Sequence, residues 1–210
     1  MTLTCQQLLT THESDWAKAT RHVFLDDCQA GTIKTRQFNT WLVQDYLFVT
    51  EFTRMVAGVL VCAPIKHFDV TLAGLAALKD ELSWFHTKAD ERQLDLNAPP
   101  QETCERYCRF MAELAADPYA VQAVALWAIE AAYNQAWQLA SPMAKPYDEF
   151  ADRWGNPNFT AYVAQLARQA DEALGDSTDA EQAQAEAVFT DITKLEQSFW
   201  DMAFTADREG

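Results

Sequence analysis

Residues 36–62 read RQFNTWLVQDYLFVTEFTRMVAGVLVC, and the spacing of their apolar side chains decides the fold class. Phe38, Trp41, Leu42, Phe48, Phe52, Met55 and Val59 recur with the helical period, which predicts one long amphipathic helix ending before Pro64. A single charge interrupts that stripe. Asp45 stands three residues after Leu42 and three before Phe48, on the face that should be buried.

The same period extends in both directions. Upstream, a helical region covers residues 4–29 with a break near 12–14; Gly31 stops it, and Thr35 is the expected N-cap of the long helix. Downstream, helices are predicted at about 69–94, 102–116, 118–139 and 147–152, with Pro99-Pro100 closing one connection. Asn156-Pro157 reads as an N-cap with proline at the first helical position, opening a helix to about Leu174. A turn over 175–178 precedes a last helix at about 180–204. No alternating strand-like run, fixed-period repeat or low-complexity segment competes, and the connections are short. The expectation is a single-domain, all-α helical bundle over residues 1–210.

Composition narrows function. Lys plus Arg is 16 and Asp plus Glu is 31, a net charge of −15, which leaves no electrostatic footprint for nucleic acid or an anionic membrane surface. Only 6 glycines occur, and GxGxxG, GxxxxGK[ST] and GxSxG are all absent, so nucleotide-loop and nucleophile-elbow chemistry lapse. The start MTLTCQQLLTTHESDW is too polar for a signal peptide, and no stretch of 18 apolar residues exists to span a membrane. The 5 cysteines (Cys5, Cys28, Cys62, Cys104, Cys108) are odd in number and scattered, which predicts reduced thiols and a cytoplasmic protein.

Two further helices repeat the anomaly at Asp45. Glu130 lies between Trp127 and Tyr133 on the face that also carries Leu126 and Trp137. Glu196 interrupts the stripe Phe189, Ile192, Phe199 and Ala203. Burying an ionised carboxylate is costly unless it is paired or put to use. A network of buried ion pairs is one explanation, although Arg and Lys are scarce on these stripes. In a bundle such faces converge, so the alternative is one aromatic-walled pocket lined by three acids. Crowding like charges there would raise at least one pKa and set a proton donor beside an acceptor. A di-iron site would need Glu-x-x-His pairs, which do not occur, so no metal is expected.

Four smaller signals are weighed beside these. Cys104 and Cys108 are spaced to touch on one helix face, as a redox or metal pair or as simple neighbours. His22 is either a haem-type axial ligand or a capping or core residue. Glu81, Trp84 and His86 form a pocket rim or a packed face. The acidic run 171–186 reads as a solvated face around a turn.

Gly31-Thr32-Ile33 followed by Trp41-Leu42-Val43-Gln44-Asp45-Tyr46-Leu47-Phe48 resembles the TenA family, also called thiaminase II. The resemblance continues in Pro100 through Tyr107, in Trp127-Ala128-Ile129-Glu130-Ala131-Ala132-Tyr133, in Arg153-Trp154-Gly155-Asn156, and in Glu196-Gln197-Ser198-Phe199-Trp200-Asp201-Met202-Ala203. These blocks stand in the family's order across nearly the whole chain. The resemblance implies a haem-oxygenase-like bundle without haem, a homo-oligomer (dimer or tetramer), and a pocket for an aminopyrimidine used in thiamin salvage. It implies that Asp45 holds the amino and ring-nitrogen edge of the pyrimidine, that Tyr107 and Tyr133 are pocket tyrosines, and that Glu196 is a catalytic glutamate. Phe48 and Trp154 fall where other members often carry tyrosine, so stacking replaces hydroxyl contacts.

One departure changes the chemistry. The better known branch carries a nucleophilic cysteine about a turn before the tyrosine matching Tyr133, whereas no cysteine follows Cys108 here. The chain therefore resembles the cysteine-less, Glu-type branch found in plants, with Glu130 at or beside the missing thiol. A carboxylate is a much weaker nucleophile than a thiolate, which disfavours thiamin cleavage. Replacement of an exocyclic amine by water suits acids and bases better. The expected reaction is hydrolysis of 4-amino-5-aminomethyl-2-methylpyrimidine, or its N-formyl form, to the hydroxymethylpyrimidine, with Glu196, Glu130 and Asp45 as the catalytic acids. The rivals are a heterocycle-binding protein without turnover and a cofactor-free oxidase on the same fold.

Overall fold

The structure is a computed structural model, and it describes residues 2–206; Met1 and 207–210 lie outside the described residues. Among the described residues stand ten α-helices and two single 3₁₀ turns, with no strand. They are α1 (Cys5–Thr11), α2 (Glu13–Thr20), α3 (Val23–Ala30), α4 (Thr35–Cys62), α5 (Phe68–Arg92), α6 (Glu102–Glu113), α7 (Tyr119–Leu139), α8 (Asp148–Trp154), α9 (Pro157–Gly175) and α10 (Asp179–Thr205). The all-α expectation holds. None of these helices is long and apolar enough to cross a membrane.

The chain forms two compact units. Of the described residues, the first comprises 2–33 with 118–198, and the second comprises 34–117 with 199–206. Helix α10 supplies residues 179–198 to the first unit and 199–205 to the second.

In the first unit α7 packs on α2, α8 and α9. Residues 120–132 are buried without a break, as expected of a helix apolar on every side. Trp16, Trp127 and Phe189 stack with ring centroids 5.5–6.4 Å apart, and the Trp16 indole N–H donates to Gln135 at 2.9 Å. The expected break at His12 separates α1 from α2, but a second one at Arg21–His22 separates α2 from α3. His22 is the N-cap of α3, its Nδ1 accepting the Phe24 N–H at 3.1 Å; this is the capping reading rather than the haem-ligand one. Gly31 ends α3 at φ +73°, a conformation that costs glycine nothing.

The acidic run is not wholly solvated. Asp171 accepts the Cys5 N–H at 2.7 Å at the start of α1, and Glu186 bonds His12 at 2.8 Å. Two of its acids thus moor the first two helices, Asp171 by placing negative charge at a helix N-terminus. At the other end of the unit Asn156 caps α9 as expected, accepting from the N–H groups of Asn158 and Phe159 at 2.9 and 3.0 Å.

In the second unit α4 packs on α5 and α6. Its N-cap is Lys34 rather than Thr35: the Gln37 side chain turns back to accept the Lys34 N–H at 3.1 Å, so the helix begins one residue earlier. The Gln37 amide also donates to the Phe204 carbonyl. All seven apolar residues named for α4 are buried. Helix α5 stops at Arg92 because Gln93 turns left-handed at φ +56°. The Arg92 guanidinium lies over Phe38, 4.6 Å from the ring centroid, and donates to Asn39 at 3.2 Å. Glu81 and Trp84 of α5 are half-buried. His86 is exposed beside Tyr46 at 3.3 Å, while Lys88 lies 5.8 Å over Trp84.

Candidate active site

Three carboxylates fall on helix faces that should be apolar, and all three are buried. Asp45 is 1% exposed, Glu130 7% and Glu196 5%. Asp45 belongs to the second unit, and Glu130 and Glu196 to the first.

The second unit brings Asp45, Phe48 and Tyr107 together. Phe48 lies one helical turn beyond Asp45 on α4, and its ring meets Tyr107 of α6 at 4.8 Å and Phe199 of α10 at 5.7 Å. Phe52 stacks below it at 5.8 Å. Tyr107 is 1% exposed, delivered inward by an amphipathic α6 whose buried face also carries Cys104 and Met111. Beside Asp45, the Gln44 side chain accepts the Gln101 N–H at 2.7 Å and donates to the Pro99 carbonyl at 3.4 Å, fixing the 94–101 connection to α4. The Cys104 thiol donates to the Gln44 carbonyl at 3.4 Å. This thiol is held above the usual range by its hydrogen bond to Cys108 and by burial, and the charges of Cys108, Asp45 and Glu51 add to the effect.

The first unit brings Glu130, Tyr133 and Trp154 to α7 and the end of α8. Tyr133 meets Trp154 edge-on at 5.1 Å and Trp137 at 6.1 Å, while Trp154 packs on Trp137 at 5.4 Å and Phe150 at 6.0 Å. Two features hold this cluster. The Asn134 amide donates to the Trp154 carbonyl at 2.6 Å, and its oxygen accepts from Thr160 at 3.1 Å. At Gly155 a Cβ would stand 2.8 Å from the Ala151 carbonyl oxygen and 3.2 Å from the Gln138 nitrogen, so only glycine lets the end of α8 approach α7 this closely.

A residue that the sequence reading passed over stands opposite Glu130. The Tyr162 hydroxyl of α9 is buried and has no partner at full hydrogen-bond geometry. Burial pushes this phenol well up; the Glu130 charge adds to the shift, and so does its carboxylate as a near hydrogen-bond acceptor. Tyr162 lies four residues before the buried Leu166, so helical spacing already placed it on the inner face of α9.

None of the seven residues singled out from the sequence lines either of two open surface grooves. One, of about 400 Å³, is bordered by Thr10, Glu13, Trp16 and Gln135; the other, of about 790 Å³, is bordered by Val43, Gln44, Leu94 and Pro99. Among the described residues no group of three or more His, Cys, Asp or Glu side chains is arranged to hold a metal ion. What the buried acids offer is proton transfer and paired hydrogen bonding amid aromatic rings.

Comparison with known proteins places the chain in a family. The model of the TENA/THI-4/PQQC family matches residues 9–206. A probable bifunctional TENA-E protein of Glycine max is 34% identical over 207 residues, which span 93% of this chain and 90% of that protein. The aminopyrimidine aminohydrolase of Halalkalibacterium halodurans is 22% identical over 202 residues, 90% of each chain. The solved structure of a TenA homologue from Pyrococcus furiosus matches with a TM-score of 0.91 at 28% identity, covering 95% of this chain and 98% of that one. The all-α fold is thus the haem-oxygenase-like one, and with an inward-facing aspartate on α4 and glutamates on α7 and α10, this chain belongs to the TENA/THI-4/PQQC family.

Proposed function

We propose that the protein is a thiamin-salvage hydrolase that converts 4-amino-5-aminomethyl-2-methylpyrimidine, or its N-formyl derivative, to the corresponding hydroxymethylpyrimidine by carboxylate acid–base catalysis. The observation that carries this reading is Glu130. A carboxylate set into an unbroken buried stretch of α7, facing a buried phenol, stands in the region where the better known family branch has its cysteine. The similarity to an aminopyrimidine aminohydrolase and to a TENA-E protein supports the same class of reaction.

In this scheme Asp45 orients the planar aminopyrimidine edge through paired hydrogen bonds, and Phe48 stacks on the ring while Tyr107 supplies a hydroxyl. Glu196 protonates or hydrogen-bonds the ring, which lowers the barrier to losing the amine. Glu130 is the general base for water, or carries the proton to the departing amine. Tyr133 and Trp154 contribute a hydroxyl and a stacking face. The C–N bond breaks, a C–O bond forms from water, and ammonia leaves; the N-formyl substrate releases formate as well. Tyr162 is a positioning residue, acting through the orientation of Glu130. We read the protein as a cytoplasmic homo-oligomer, in keeping with its family resemblance and its five free thiols.

The test is product detection by mass spectrometry after separate incubation with the aminopyrimidine, the formylaminopyrimidine and thiamin, with Glu196→Gln as control. Hydroxymethylpyrimidine from either of the first two, little from thiamin, and none from the control is the expected result. Rapid thiamin cleavage would overturn the substrate assignment. Saturable binding of the pyrimidines with no product would make the protein a binder rather than a hydrolase.

A further inference from the structure

Helix α6 carries a thiol pair that the proposed hydrolysis leaves unused. Cys104 and Cys108 lie one turn apart with their sulfurs 3.9 Å from each other. An i, i+4 pair in an α-helix has its Cα atoms about 6.2 Å apart, inside the roughly 4.4–6.8 Å that a disulfide spans, but its Cβ atoms stand about 5–6 Å apart, beyond the roughly 3.5–4.5 Å of a disulfide, so closing the bond requires this turn of α6 to loosen. The two thiols differ in access: Cys104 is fully buried and Cys108 only partly so.

We propose that Cys104 and Cys108 are a redox-reactive thiol pair, in which Cys108 is attacked by hydroperoxides and Cys104 resolves the product as a disulfide within α6.

The geometry sets the division of labour. With both thiols protonated, Cys104 has one S–H, and the Gln44 carbonyl of α4 takes it. When Cys108 ionises, its thiolate becomes the stronger acceptor, 3.9 Å away, and the Cys104 proton can turn to it. That hydrogen bond draws Cys108 below the ordinary thiol range and holds Cys104 above it. Partial burial and the Glu51 charge oppose the Cys108 thiolate, while Arg54 of α4 favours it. Thiolate character and access together select the thiol that oxidises first.

The Cys108 thiolate attacks the peroxide, the O–O bond breaks, and the sulfur gives up two electrons to become a sulfenic acid while the peroxide is reduced to an alcohol or water. Cys104 then loses its proton and attacks that sulfur; the S–O bond breaks, and hydroxide leaves with the proton as water. Two thiols and one hydroperoxide thus give one disulfide, one alcohol and one water. The disulfide removes the Cys104 donor from the Gln44 carbonyl and ties together the two residues that flank Tyr107 on α6, so it bears on the proposed ring-binding face without depending on that reading.

The full-length protein treated with hydrogen peroxide, then alkylated and denatured, tests this. Trypsin cuts after Arg106, between the two cysteines, so the disulfide joins two otherwise separate peptides. The expected result is a monomeric chain two hydrogens lighter, with those peptides linked, the linkage reversed by dithiothreitol, and the exposed Cys62 still alkylated. Cys104→Ser should stop the reaction at a Cys108 sulfenic acid trapped by dimedone, and Cys108→Ser should abolish both products. Oxidation of Cys62 while Cys104 and Cys108 remain alkylatable would overturn the proposal. So would a linkage found only between chains on a non-reducing gel, or a Cys108→Ser protein that consumes peroxide at Cys104 as fast as the parent.

Discussion

Helices α4 and α7 carry the same anomaly, an acid inside an aromatic stripe, in two different surroundings. Helix α4 is amphipathic, and Asp45 has polar company: Gln44 beside it grips the 94–101 connection, and the Cys104 thiol lies close by. Helix α7 is buried on every side over 120–132, a stretch made mostly of alanine with branched and aromatic residues, and the buried Tyr162 hydroxyl faces Glu130. On the proposed reading, one sequence signature serves two physical purposes. An acid among hydrogen-bonding groups is suited to hold a ligand edge, whereas an acid in a dry, small-residue stretch is suited to move a proton.

Kinetics should separate the two most sharply. Glu130→Gln is expected to lower kcat by about 10² to 10⁴ with little change in KM, the usual range for one acid–base group. Asp45→Asn should act chiefly by raising KM. Steady-state kinetics with the aminopyrimidine checks both, and equal effects on kcat and KM at the two positions would erase the distinction. Trp154→Ala comes next. It removes a fully buried ring from the α7–α8 cluster and should cost about 3–5 kcal/mol in urea denaturation.

Two glycines offer a smaller contrast of opposite sign. Gly155→Ala forces a Cβ against the Ala151 carbonyl and the backbone of α7, and should destabilise by about 1–3 kcal/mol. Gly58 of α4 has open space around its Cβ position, so Gly58→Ala should stabilise by about 0.5–1 kcal/mol. Melting temperatures that move in the same direction for both would mean that α8 is less tightly set on α7 than the structure has it.

The smallest effect is at alkaline pH. Burial, helped by the Glu172 charge, pushes the Tyr119 phenol at the start of α7 up to about 12 from an ordinary value near 10. The folded state therefore favours the neutral phenol. This stabilisation is complete below pH 10 and is lost as the pH rises towards 12, when the phenol must ionise in a buried setting. Tyr119→Phe should flatten that part of a plot of melting temperature against pH, and an unchanged slope would assign the alkaline loss to other groups.

Much of the fold was legible because helical periodicity and capping are local. The bounds of α4, α7, α9 and α10 follow from stripes such as Phe38–Trp41–Leu42, from Pro64, and from Asn156-Pro157, each acting within a few residues of itself. The burial of Asp45, Glu130 and Glu196 was legible for the same reason: an acid at an apolar register position leaves its helix face no choice. The break at Arg21–His22 was not, because its cause is a histidine cap, weaker in pattern than the serine, threonine, asparagine or aspartate caps. The Lys34 cap escaped because the bond is made by the side chain of Gln37 rather than by the capping residue.

Which side chains meet is a matter of distance across the chain, and period alone does not contain it. Tyr162 could be assigned to the inner face of α9, yet only packing of α9 on α7 sets its hydroxyl opposite Glu130. Asp171 and Glu186 read as solvated charge until the fold brings Cys5 and His12 to them across more than 160 residues of chain. The sequence by itself determined the helices, their buried faces and the three acids set into them, because those depend on spacing and on the cost of burying charge. Only the tertiary structure decided the partners, because a hydrogen bond or a ring contact depends on where two distant helices come to rest.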